Sequence, residues 1–273
     1  MEDLGGKAAA ITGAASGIGR MLAVKLAKEG CSVAMADIDE DGLDQTAAMI
    51  DGSGIKVTAH VVDVADRDQV YKWADDVVSK HGRVDMIVNN AGVGVAETIE
   101  DITYDDLEWI VNINLWGVIY GTKAFLPYLK QRPDAQIVNL SSLFGIFTVP
   151  NAGAYCTTKY AVRGFTETLA QELKHTSVRV SCVHPGGIKT NILKNTRFYK
   201  VADSSMDHER AIKNFDRSIA WTSPEKAASI IISGIKKNKS RIMVGPDAYI
   251  YDFLKRLFPV GFQWLIGLGV KRT

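Results

Sequence analysis

Tyr155 and Lys159 stand four residues apart in a stretch, Ala154 to Leu173, whose apolar residues recur at three- and four-residue spacing. That periodicity predicts a helix, and on a helix the two side chains project from one face about a turn apart. A tyrosine hydroxyl titrates near 10. Holding an appreciable fraction of it ionised near pH 7 takes about 3–4 kcal/mol of differential stabilisation, which a neighbouring ammonium and a cationic ring can supply. The pair is therefore a candidate acid/base. Y-x-x-x-K alone is more commonly a surface pair, but Ser142 lies thirteen residues upstream of Tyr155, at the end of an apolar run, where its hydroxyl can hold a substrate oxygen.

These residues need a scaffold, and apolar runs of strand length recur at Ala8 to Ile11, Ser32 to Ala36, Val57 to Val62, Met86 to Val88, Gln136 to Leu140 and Arg179 to Val183. Helical spacing fills Ile18 to Glu29, Asp66 to Lys80 and Ala154 to Leu173 between them. The order βαβαβ and the continuous apolar strands predict an α/β fold, a doubly wound parallel sheet buried by helices on both faces, in one domain over 1–273. Two regions depart from the alternation: a lid at about 191–222 and an apolar C-terminal extension at about 247–273, both expected beside the substrate.

In such a sheet ligands bind beyond the carboxyl ends of the strands. After the first strand comes Thr12-Gly13-Ala14-Ala15-Ser16-Gly17-Ile18-Gly19, after the second Asp37, after the third Asp63-Val64, and after the fourth Asn89-Asn90-Ala91-Gly92. Ser141-Ser142 follows the fifth and Pro185-Gly186-Gly187 the sixth. Gly13, Gly17 and Gly19 sit between strand and helix, where bare backbone can approach a pyrophosphate and helix N–H groups can hold its charge. Asp37, twenty residues past Gly17, is placed to accept hydrogen bonds from an adenosine ribose and to repel a 2′-phosphate, which favours NAD over NADP; Arg20 is the residue able to offset that repulsion. Asp63 is a candidate partner for the adenine amino group.

Together these residues resemble the short-chain dehydrogenase/reductase family, in the single-domain branch carrying T-G-x-x-x-G-x-G and Y-x-x-x-K. The matches fall in order up to about Thr190: Thr12 to Gly19, Asp63, Asn89 to Gly92, Asn114, Ser142, Tyr155, Lys159, Pro185-Gly186 and Thr190. The resemblance implies a Rossmann-type fold in which Tyr155 is the general acid/base and Ser142 orients the substrate oxygen. It makes Lys159 the residue that lowers the tyrosine pKa and holds the nicotinamide ribose, with Asn114 fixing a relay water. The implied cofactor groove takes in Gly13, Ser16, Gly17, Ile18, Gly19, Asp37, Asp63, Val64, Asn90, Ala91, Gly92, Tyr155, Lys159, Pro185, Gly186, Ile188 and Thr190. His184 departs from the family, which often has Asn before Pro-Gly; it is either a rival base or a backbone spacer. The expected reaction moves a hydride between NAD and a secondary alcohol or ketone of apolar, steroid-, retinoid- or lipid-like kind. An NADP-preferring carbonyl reductase, a non-catalytic NAD-sensing regulator and a nucleotide-sugar epimerase or dehydratase of the extended branch are the alternatives. The branch is commonly dimeric or tetrameric, and a homotetramer is expected.

Composition excludes other classes. Lys plus Arg number 32 against 31 Asp plus Glu, with no basic stretch, so nothing marks nucleic-acid binding. Cys31, Cys156 and Cys182 form no C-x-x-C pair and suit free thiols in the cytoplasm; Cys156, beside Tyr155, is a packing residue or a redox switch. Met1 to Lys7 lacks the basic region and cleavage site of a signal peptide, and His60, His81, His175 and His208 show no metal-ligand spacing, so no metal is expected. Near the C-terminus the longest charge-free apolar run, Leu257 to Val270, has fourteen residues, against about 20 needed to cross a bilayer. Three readings remain for it: closing the substrate pocket, peripheral membrane contact, or docking a partner protein.

Overall fold

In the computed structural model the chain alternates strand and helix through β1 (Ala8–Thr12), α1 (Gly17–Lys28), β2 (Ser32–Asp37), α2 (Glu40–Ala48), β3 (Val57–Val61), α3 (Arg67–His81) and β4 (Met86–Asn89). It continues through β5 (Val95–Ala96), α4 (Tyr104–Val111), a π-helical turn (Asn112–Trp116), α5 (Gly117–Leu129), β6 (Ala135–Leu140), a short 3-10 turn (Leu143–Gly145), α6 (Gly153–Glu172) and β7 (Val178–Pro185). The last elements are β8 (Arg197–Phe198), α7 (Pro224–Lys236), β9 (Arg241–Val244), α8 (Pro246–Leu257) and α9 (Gly261–Gly267). The structure describes residues 1–52, 54–190, 192, 195–199 and 221–267, so most of the expected lid lies outside the described residues.

Seven strands form one sheet in the order β3-β2-β1-β4-β6-β7-β9, every pairing parallel, with β5 and β8 as a separate two-residue pair. The chain winds outward from β1 to β3, returns to β4, and winds the other way. The order therefore reverses between β1 and β4, where a doubly wound sheet opens its ligand crevice.

Alternation along the strands divides the core into two layers. Ala9, Ile11, Val33 and Met35 pack with Leu22 and Leu26 of α1 and Ile231 and Ile235 of α7. Ala10, Ala34, Ala36 and Ile137 face the other way, onto Trp73 of α3, Phe125 of α5 and Leu169 of α6. Small alanines on that side let the bulk of Trp73 and Phe125, whose rings meet edge-to-face at 5.0 Å, approach the sheet. The edge strand β3 is only partly buried, while β1, β4 and β6 are buried throughout, as their continuous apolar runs predict.

Candidate active site

The crevice is built by locking the ends of β1 and β4 together. Thr12 Oγ1 accepts from the backbone N–H groups of Asn90 (2.9 Å) and Ala91 (3.0 Å), while Asn90 Nδ2 donates to the carbonyls of Thr12 (2.9 Å) and Gly13 (3.1 Å). Asn90 thus shapes the glycine loop from below. A Cβ on Gly19 would collide with the Gly13 carbonyl oxygen, so the third glycine is required for the loop to close on its own helix. Gly17 has φ of 55°, and a Cβ there would lie 3.3 Å from Thr190 Cγ2, so Thr190 faces the glycine loop across the crevice. Ser16 occupies the cap position of α1 without a side-chain capping bond, and no acid sits in the first turn. Its first-turn N–H groups suit an anion such as a pyrophosphate. Ile18, behind them, packs on the core.

Asp37 ends β2 beside this loop. Its Oδ2 accepts from Ala15 N (3.0 Å) and its Oδ1 from Asp39 N (3.2 Å), and each oxygen keeps a second lone pair for a ribose hydroxyl. Arg20, the residue able to soften a clash with a 2′-phosphate, is already engaged. Its guanidinium donates to the carbonyls of Ala15 and Gly42, to Gln45 and to Thr46 Oγ1. Asp63 is exposed and turns one carboxylate oxygen onto Ala65 N at 2.9 Å, whereas Val64 is buried and leaves no room for a side chain at Gly117.

The proposed chemistry gathers between β6 and α6. Ser142 caps the 3-10 turn after β6, its Oγ accepting from Phe144 N at 3.1 Å. Lys159 is buried; its Nζ donates to the Leu140 carbonyl at 3.1 Å and lies 5.6 Å from the centre of the Tyr155 ring. Burial brings its ammonium down to about 8. Asn114, fully buried on the π-helical turn, clips the chain after β4 through Val93 (N–H to Oδ1, 2.8 Å; Nδ2 to carbonyl, 2.9 Å) and reaches Thr158 Oγ1 at 3.3 Å. A Cβ on Gly92 would sit 3.2 Å from Asn114 Oδ1 and 3.4 Å from Lys159 Nζ, which places Gly92 between the two. π-turns inside helices are rare and concentrate at functional sites.

Burial pushes the Tyr155 hydroxyl up to about 12, with the Ser142 hydroxyl acting in the opposite direction by hydrogen bonding. Desolvation of the phenolate is the larger of the two effects.

The loop after β7 is held by His184, which the sequence offered as a rival base or a backbone spacer, and by Asp247, which the sequence did not single out. His184 is fully buried, with Nδ1 3.1 Å from the Ser142 carbonyl, and burial lowers it to about 4. A neutral ring in that position supports the serine's backbone. Asp247, on the first turn of α8, accepts from Gly187 N at 2.7 Å, and a Cβ on Gly186 would collide with its carboxylate. Gly186 N in turn donates to Val244 O at 2.9 Å, and Ile188 is buried and bridged to Thr222. Pro185 closes β7 ahead of this loop. The only sequence signal for Asp247 is the turn pair Gly245-Pro246 before it; its role arises from the pairing of β9 with β7.

The three cysteines are free and buried, and burial raises the Cys156 thiol. On the adjoining face of α6, Cys156, Tyr160, Val149, Pro150, Ile99 and Ile266 line a cavity of about 630 Å³. Among the described residues no helix is long and apolar enough to cross a membrane.

A crevice at the reversal of a doubly wound sheet, closed by a glycine loop and flanked by Ser142, Tyr155 and Lys159, defines a dinucleotide-binding oxidoreductase of Rossmann type. Residues 7–199 match the short chain dehydrogenase family, and the chain belongs to it. It is 42% identical over 275 residues to a Mycobacterium tuberculosis protein named as oxidoreductase SadH, covering 100% of this chain and 98% of the relative. It is 32% identical over 269 residues to estradiol 17-beta-dehydrogenase 11 of Pongo abelii, covering 97% and 88%. A short chain dehydrogenase/reductase from Burkholderia phymatum, crystallised with NAD, superposes with a TM-score of 0.87 at 28% identity, covering 100% and 98%.

Proposed function

We propose that the protein is an NAD-dependent dehydrogenase interconverting a secondary alcohol and its ketone, on an apolar substrate of steroid-, retinoid- or lipid-like kind. The observation that carries this reading is the convergence of Ser142, Tyr155 and Lys159 beside the glycine-loop crevice. When bound, NAD supplies the acceptor for the hydride leaving the carbinol carbon. The chain's own residues manage the proton: Tyr155 Oη takes it from the substrate hydroxyl as the C–O bond becomes a carbonyl, and returns it in the reverse direction. Ser142 Oγ donates to the substrate oxygen, holding it over the tyrosine. Lys159 holds the nicotinamide ribose, and Asn114 links the lysine to a relay water.

Asp37 supports NAD over NADP, because a 2′-phosphate would meet a carboxylate while Arg20 is committed elsewhere. The name of the estradiol dehydrogenase relative supports an apolar substrate. A homotetramer in the cytoplasm completes the proposal, and light scattering across a wide concentration range tests the tetramer. The experiment for the activity is a panel of secondary alcohols and ketones offered with NAD and NADP side by side. Turnover of apolar members with NAD is expected. Cofactor binding without turnover of any member would favour an NAD-sensing regulator instead.

A further inference from the structure

The C-terminal hairpin presents two unlike faces. Inward, Phe262 of α9 is buried with its ring 5.2 Å from that of Phe147, Ala248 of α8 is buried, and Gln263 hydrogen-bonds to Thr148, so the hairpin is fixed to the body of the protein. Outward, Tyr249, Ile250, Phe253 and Leu257 of α8 are each more than half exposed. At 3.6 residues per turn these positions fall on one stripe. Phe258 and Val260 in the turn and Trp264 on α9 continue it, Val260 at 81% exposure and Trp264 at 68%.

Within the segment the more exposed charges are basic, and the acids are buried or paired. The segment 246–267 contains two acids. Asp247 is buried, and Asp252 is bridged by Arg241 (2.7 Å) and Arg256 (3.1 Å). Lys255, whose Nζ donates to the Pro259 carbonyl at 2.7 Å, and the exposed Arg256 supply the cations at the rim, and the sequence adds Lys271 and Arg272. A second copy seated on the stripe by twofold symmetry would bring this cationic rim against itself, with no exposed acid in the segment to pair with it. Aromatic side chains with a basic rim suit the interface of an anionic bilayer instead.

We propose that this face docks on the surface of an anionic lipid bilayer, with the stripe from Tyr249 to Trp264 seated among the headgroups and Lys255 and Arg256 against their negative charge. Gln263 and Ile266 of the same hairpin line the apolar cavity beside Cys156, together with Ile99, itself 79% exposed. The docking does not depend on the reaction proposed above.

The test is co-sedimentation of the full chain with phosphatidylcholine vesicles, with and without phosphatidylglycerol. The parent pellets with the anionic vesicles and is released by salt. Phe253→Ser with Leu257→Ser lowers binding about tenfold or more, and Lys255→Gln with Arg256→Gln abolishes the preference for phosphatidylglycerol. Brominated lipid quenches tryptophan fluorescence in the parent, and Trp264→Phe removes that quenching. Circular dichroism and NAD affinity confirm that each variant is folded. The proposal is overturned if the parent stays in the supernatant, if the folded variants pellet as the parent does, or if light scattering shows Phe253→Ser with Leu257→Ser dissociating an oligomer that the stripe had held together.

Discussion

Asp247 and Gly187 meet through one hydrogen bond of 2.7 Å, from the Gly187 amide to the carboxylate, and it ties the loop after β7 to the first turn of α8. The bond lies beside Pro185, Gly186 and Ile188, residues of the expected cofactor groove on the β7 side of the sheet reversal, across it from Asp37 at the end of β2. Asp247→Ala leaves a buried N–H unpaired, at a cost of about 1–3 kcal/mol. Asp247→Asn, which keeps an acceptor, costs less. Gly186→Ala drives a methyl into the carboxylate and moves the same loop. Calorimetric titration should show NAD weakened in Asp247→Ala and Gly186→Ala while AMP, which lacks the nicotinamide half, binds as before. Equal loss for both ligands would place the effect elsewhere.

This contact also marks where sequence reading stops. The six strand endings were legible because each joins a continuous apolar run to Gly, Asp, Asn, Ser or Pro, and α1, α3 and α6 begin and end within one residue of their periodic stretches. β9 was not, since Arg241–Val244 is four residues long and follows a lysine-rich turn. Without β9 nothing brings Asp247 beside Gly187, sixty residues away. The same holds for His184 and Ser142, whose contact depends on β6 lying next to β7. Asn90 was legible as a groove residue, but its clamp on the Thr12 and Gly13 carbonyls is a long-range contact that no local pattern encodes.

Two buried groups make stability rise with pH in two separate windows, one alkaline and one acidic. Lys159 is lowered from 10.5 to about 8, so between those values the unfolded chain holds the extra proton and stability rises with pH. Measured by urea unfolding from pH 8 to 10, the parent should gain about 2 kcal/mol relative to Lys159→Met. Parallel curves would contradict the buried ammonium. His184, lowered from 6.5 to about 4, contributes stability that is lost as pH falls through that window, and His184→Asn should flatten the acid limb. His81, lowered to about 4 as well, accounts for part of what remains.

Asp37→Ala removes the carboxylate that meets a 2′-phosphate. The variant should discriminate against NADP about tenfold less than the parent in kcat/KM. Ala15 N loses its partner in the same change, so a modest drop in NAD affinity accompanies it. A parent that already prefers NADP would contradict the assignment of this carboxylate.

The central claim is that Tyr155 moves the proton, and Tyr155→Phe tests it most directly because only the hydroxyl is deleted. With an apolar secondary alcohol and NAD, turnover should fall by about a thousandfold or more, while NAD affinity by titration stays within a few-fold of the parent. Turnover near the parent's in a variant that still binds NAD would remove Tyr155 from the reaction.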